Sequence, residues 1–163
     1  MNGKQDLKVE DRIEAVESML EEYEKSVGVS LIFKPEGDIY HLNLRMDSLR
    51  KMSPEECGEF AFSLAQKSLY LQHEINKQTQ RINWAKTNID MMIAGNIDSY
   101  GSKYTPYENR KMLAIKDNDY TIKLYEVIVK AQQIIDRLSY IPNKISYMSK
   151  TLIELQTTKR NQG

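Results

Sequence analysis

"SPEECGEFAFSLAQKSLYLQHEINKQTQRINWAKTNIDMMIA" occupies residues 53–94, and its reading decides the fold. Ser53 is a good N-cap, Pro54 suits the first helical position, and Glu56 can reach back to close a capping box. No further Pro follows before Gly95, so one helix of ~40 residues, roughly 60 Å long, is expected. Leu64, Leu71, Gln78, Ala85 and Met92 recur every seven residues. Ala61, Ser68, Ile75, Ile82 and Ile89 do so three places earlier. Together they form a heptad seam, with polar interruptions at Ser68 and Gln78.

Working outward, "GNIDSYGSKY" (Gly95–Tyr104) reads as a loop from its turn residues. "TPYE" then repeats the opening device, with Thr105 as cap, Pro106 next and Glu108 three residues after the cap. From Tyr120 a second seam runs through Leu124, Val127, Ala131, Ile134, Leu138, Ile141, Ile145, Met148, Leu152 and Leu155. Pro142 lies inside it and removes a backbone donor, so a kink or brief break is expected between Ser139 and Asn143. Two long helices joined by a short loop fold back most simply as an antiparallel hairpin. Seams this narrow are best satisfied by several helices, which predicts a homo-oligomer.

On the N-terminal side, Val9, Ile13, Val16, Leu20, Tyr23 and Val27 step by four and three among glutamates, an amphipathic helix over residues 6–27 stopped by Gly28. "VSLIFKPEGDIYHLNL" (Val29–Leu44) reads as a short β-hairpin around a Pro-Glu-Gly-Asp turn. The expected architecture is therefore mainly α: a long antiparallel helical hairpin with heptad seams, an N-terminal helix and a short β-hairpin, assembled as an oligomer. Residues 1–47 form an acidic arm and residues 48–163 the helical body.

The 23 basic and 23 acidic residues balance overall, but they are unevenly placed. Residues 1–59 hold 14 acidic and 8 basic side chains, a balance of −6, and residues 60–163 hold 9 and 15, a balance of +6. An acidic head with a basic body fits nucleic-acid binding by the body. It fits head-to-body contact between subunits, or solvated helix faces, equally well. A single cysteine, Cys57, excludes an intrachain disulfide and points to a reducing compartment. The charged N-terminus does not read as a signal peptide, and no run approaches the ~20 apolar residues of a membrane span. A cytoplasmic protein without membrane contact is expected.

Enzymatic chemistry finds little support. His41 and His73 have no metal-ligand spacing, and neither a phosphate-cradling Gly loop nor a nucleophile elbow is present. Cys57, near a helix N-terminus, reads more readily as a small packing residue than as a thiolate. Asp117 and Asp119 read as a solvated face. No catalytic residue, metal or cofactor is expected.

Nucleic-acid binding has more behind it. Lys77, Arg81, Trp84 and Asn88 follow in steps of four, three and four, and share one helix face. Lys103, Arg110, Lys111 and Lys116 flank the loop, interleaved with Tyr100, Tyr104 and Tyr107. Cations that track phosphates beside rings that stack bases are what non-specific single-strand binding uses. The plain alternative is ordinary: lysines on any long helix face, and Trp84 packed at the edge of a seam.

With these features in order, the chain over about residues 45–158 resembles the bacteriophage recombination mediators of the UvsY type. The resemblance lies in "NWAKTNIDMMIAG" (83–95), the Gly-bearing loop, "YTPYENRKM" (104–112), "IKDNDYTIKLYEV" (115–127) and the break at "YIPNKI" (140–145). It implies a protein that binds single-stranded DNA as a ring-shaped homo-oligomer. Such a protein helps a recombinase displace the single-strand binding protein, in the host cytoplasm of a phage. The resemblance sets the family's DNA-contacting basic pair on Lys86 and Asn88, of which only Lys86 is basic. Arg81 and Lys77 stand one and two turns earlier. Lys77, Arg81, Trp84, Lys86, Lys103, Tyr104, Arg110 and Lys111 are therefore the candidate DNA contacts. The acidic N-terminal residues are an addition to the family pattern, fit to shield a basic surface or to dock a partner. The rival reading is a phage structural or adaptor protein, a helical oligomer without DNA contact.

Overall fold

The computed structural model describes residues 8–29, 34–35 and 45–162. These residues are mainly helical, and no strand occurs among them. The expected hairpin over Val29–Leu44 lies outside the described residues, apart from Val29, Lys34 and Pro35. Six helices follow in order: α1 (Val9–Ser26), α2 (Met46–Lys51), α3 (Pro54–Ile93), α4 (Tyr107–Lys116), α5 (Asp119–Leu138) and α6 (Ile141–Gln162). A 3-10 turn, Ile97–Ser99, lies between α3 and α4. No helix among the described residues is long and apolar enough to cross a membrane.

The opening of α3 is the expected box. The Ser53 amide donates to Glu56 Oε2 at 2.7 Å, and the Glu56 amide donates to Ser53 Oγ at 3.1 Å. Two orphan donors of the first turn are thereby satisfied. α1 stops as its glycine implies: Gly28 takes φ +79, a left-handed conformation that side chains disfavour.

The second long helix is in fact three. α4 ends at Lys116, and Asn118 starts α5 by accepting the Tyr120 amide at 2.8 Å on its side-chain oxygen. The buried Thr121 hydroxyl donates to the Ile115 carbonyl at 2.7 Å, which satisfies an acceptor at the end of α4. The expected break at Pro142 is present, since α5 ends at Leu138 and α6 begins at Ile141. The second capping box is a correction. Thr105 Oγ1 accepts the Ser102 amide at 2.9 Å inside the loop, leaving Pro106 as N-cap of α4 without a side-chain bond. Thr105 also crowds Gly101, which turns with φ +80.

Packing divides the chain into two compact units. One unit contains the described residues of 1–30 and 76–136, the other those of 31–75 and 137–163. α1 is thus part of the first unit. Its core joins Val9 and Ile13 of α1 with Ala85, Ile89 and Ile93 of α3, Ala114 and Ile115 of α4, and Leu124 of α5. The core of the second unit joins Ala61 and Leu64 of α3 with Ile145 and Leu152 of α6, and Leu49 of α2 packs against it. Here Ser149 Oγ donates to the Ala61 carbonyl at 2.7 Å and Ser68 Oγ to the Pro142 carbonyl at 2.9 Å. As α3 advances seven residues α6 retreats seven, so these segments run antiparallel. Short hydroxyl side chains at both places let the backbones approach closely. Lys159 Nζ donates to the carbonyls of Leu49, Arg50 and Met52, capping the C-terminal end of α2 with a cation.

Candidate nucleic-acid interface

The face of α3 carrying Lys77, Arg81 and Trp84 is covered. α1 lies on it antiparallel, with Glu17 and Glu21 four residues apart opposite two cations four residues apart. Arg81 holds Glu17 with both prongs of its guanidinium, Nε–Oε1 at 2.5 Å and Nη2–Oε2 at 3.1 Å. Lys77 Nζ reaches Glu21 at 3.5 Å and Glu17 at 3.8 Å. The Glu17 side chain is only 14% exposed. Trp84 is half-buried and lines a small cavity with Ile13, Val16 and Leu20 of α1. Asn88 donates its side-chain amide to the Trp84 carbonyl at 2.8 Å, a bond within its own helix.

Beside this contact, a cleft of about 320 Å³ is lined by Glu10, Glu14, Glu126, Arg81, Lys123 and Lys130, among others. Both signs of charge face it, which suits no single-sign ligand.

The second basic group is positioned by the turn between α3 and α4. Arg110 Nη1 binds Asp98 at 2.9 Å, and Lys111 Nζ binds Asp90 at 2.6 Å. These pairs tie α4 to the 3-10 turn and to the end of α3. The hydrogen bond that Lys111 donates to Asp90 raises the Lys111 pKa above the usual lysine value, helped by the charges of Asp90, Tyr107 and Glu108. The Tyr100 hydroxyl donates to Asp117 at 2.7 Å, and this bond chiefly raises its pKa. Arg110 Nε is buried without a partner among the described residues.

Three candidates remain open. Lys86 and Lys103 are exposed, with no ion pair among the described residues. Tyr104 is 90% exposed beside Lys103, and Tyr107 is 51% exposed at the start of α4. Arg81 and Asp90, the anchor of Lys111, are nine residues apart on α3, about 14 Å along its axis. Glu17 and Glu21 are the partners that sequence reasoning did not single out. Their signal was the matched four-residue spacing on an acidic segment and a basic one.

Among the described residues no group of His, Cys, Asp or Glu is placed to hold a metal, and Cys57 is buried and free. No family model, curated protein or solved structure matches the chain.

Proposed function

We propose that the protein binds single-stranded DNA and acts as a recombination mediator without an active site. On this reading it assembles as a ring-shaped homo-oligomer that helps a recombinase displace the single-strand binding protein. The observation that carries the binding is Tyr104. A tyrosine ring 90% exposed has no packing role, and it stands beside the exposed Lys103 with Tyr107 three residues on. A ring in water stacks on any base, and the neighbouring cation holds phosphate, which gives sequence-tolerant single-strand affinity. Lys86 adds a further open cation on α3. Each contact is weak alone, and repetition around an oligomer supplies the affinity. The mediator role rests on the resemblance of residues 45–158 to the UvsY type.

Fluorescence anisotropy of a labelled oligonucleotide tests this. Affinity is expected to fall steeply with salt, and Tyr104→Ala to weaken binding by an amount on the order of the ~1–3 kcal/mol of one stacked base. Absence of binding at ~50 mM salt, where electrostatics are near their strongest, refutes it.

A second reading, a helical oligomer serving as structural or adaptor protein, draws on Phe62 and Leu69. They lie seven residues apart on α3 and are 65% and 58% exposed. It predicts self-association, lost on Phe62→Ser with Leu69→Ser, in a protein that leaves the oligonucleotide unbound.

A further inference from the structure

We infer that the C-terminal half of α1 is a built-in competitor of nucleic acid: Glu17 and Glu21 occupy Arg81 and Lys77 in place of backbone phosphates, and a bound strand displaces them. The inference rests on the single-strand binding proposed above and concerns a second, latent strip of that surface.

The chemistry of the contact is that of phosphate recognition. The Arg81 fork takes two oxygens of one anion, as it would of a phosphate. Lys77 sits one turn away and meets the next anion as a point charge. The Trp84 ring continues the same face one turn further on, at the edge of the cover. Two cations and a ring at successive helical turns make a track for a strand, and α1 lays two carboxylates along the cationic part of it.

The attachment of α1 is graded along its length. Its first turns are held by core, since Val9 is 2% and Ile13 8% exposed, and Arg12 Nη1 donates to the Tyr120 hydroxyl at 2.8 Å. Val16 and Leu20 are only half-buried, and Tyr23 and Val27 are 65% and 53% exposed. The turns that carry Glu17 and Glu21 therefore depend on ion pairs more than on apolar burial. The Lys77–Glu21 pair is partly exposed and salt-screened, and at Arg81 one bidentate anion can replace another, so a polyanion can compete for both cations. The anchored first turns keep the displaced segment close at hand, at high effective concentration, so the competition is reversible.

The test uses the full chain and two charge-matched variants, Glu17→Gln and Glu22→Gln. Glu22 is exposed on the same helix and has no ion-pair partner among the described residues. Both variants remove one negative charge, but only the first releases Arg81. At ~50 mM salt Glu17→Gln is expected to bind a labelled single strand about three- to tenfold tighter than Glu22→Gln. Adding Arg81→Ala to Glu17→Gln should remove that gain. In the unmutated protein, saturating DNA should change Trp84 emission, because the cavity that Trp84 lines with Val16 and Leu20 opens. Far-UV circular dichroism checks that each variant keeps its helices. Equal affinities for the two variants, with DNA bound by both, overturn the competitor role and leave single-strand binding standing. So does a Trp84 spectrum that is unchanged at saturation. If neither the unmutated protein nor Glu17→Gln binds at ~50 mM salt, both readings fall together.

Discussion

α3 receives an antiparallel neighbour in each unit, and the two are held by different chemistry. In one unit α6 is joined to α3 by fully buried Leu64 and Ile145 and by two serine hydroxyls that donate directly to backbone carbonyls. In the other, α1 meets α3 through the partly exposed ion pairs of Glu17, Glu21, Lys77 and Arg81, with apolar burial concentrated in its first turns. Buried apolar area and a hydroxyl shielded from water have no competitor in solution. Ion pairs at a half-wet edge compete with salt and with any other anion. The first kind of contact fixes a structure, and the second leaves a surface that can be uncovered.

The largest effect should come from damaging the fixed contact. Leu64→Ala removes a side chain with no exposed surface from the core of its unit, and a loss of ~2–5 kcal/mol is expected. Leu20→Ala, at a half-buried place on α1, should cost well under ~1.5 kcal/mol, on the scale of partial apolar burial. Urea unfolding of the two variants measures both. Equal losses would mean that α1 is as firmly seated as α6, and the comparison would fail.

Much of this frame is legible in the residues. The Ser53–Glu56 box and the break at Pro142 are local, because the groups that make them lie within a few residues of each other. Thr105 misleads for the same reason: two nearby amides compete for one hydroxyl, and the Gly101 turn brings the Ser102 amide to it first. The break at Asp117–Asn118 has a local signal too, an Asn able to cap, hidden inside a run that otherwise continues. Met92 is instructive. It follows Leu64 by four heptads, yet it is 42% exposed, while Ile93 is buried at 5%. A straight α-helix drifts ~20° per heptad, about 80° over four, so a strict seven-residue count leaves the buried face. The candidate site was legible only in its basic half. Lys77, Arg81 and Trp84 share a face because of helical spacing. Their pairing with residues some sixty positions earlier is a tertiary event, visible in the sequence only as an acidic head and a basic body.

A smaller effect separates the two contacts by their hydrogen bonds. Ser149→Ala removes a buried donor to the Ala61 carbonyl, and a cost of ~1 kcal/mol is expected. That cost should be independent of salt. Glu17→Gln weakens a part-buried bidentate pair and should cost about 1 kcal/mol, shrinking as salt rises. Unfolding curves at low and high ionic strength give both trends. A salt-sensitive Ser149→Ala, or a salt-insensitive Glu17→Gln, would reverse the assignment of chemistry to contact.

The smallest effect concerns the turn between α3 and α4, where Lys111 and Asp90 form a third kind of contact, an ion pair with no competing cover. The Lys111 pKa in the folded protein lies above its ordinary value of 10.5, mainly through the hydrogen bond to Asp90. A raised folded-state pKa means that the folded protein holds the proton more tightly than the unfolded chain does. The pair therefore contributes in full below about pH 10.5, and its contribution fades as pH climbs through the folded-state value. Asp90→Asn should lower stability by about 0.2–1 kcal/mol at neutral pH. The gap between variant and unmutated protein should close in strong alkali. Tyr100, whose pKa is likewise raised, chiefly by its bond to Asp117, is common to both proteins, so the difference isolates Lys111. Thermal unfolding from pH 7 upward follows the gap. If it stayed constant through the lysine range, Asp90 would be acting through something other than the Lys111 charge, and the Lys111 tie between α4 and α3 would lose its electrostatic basis.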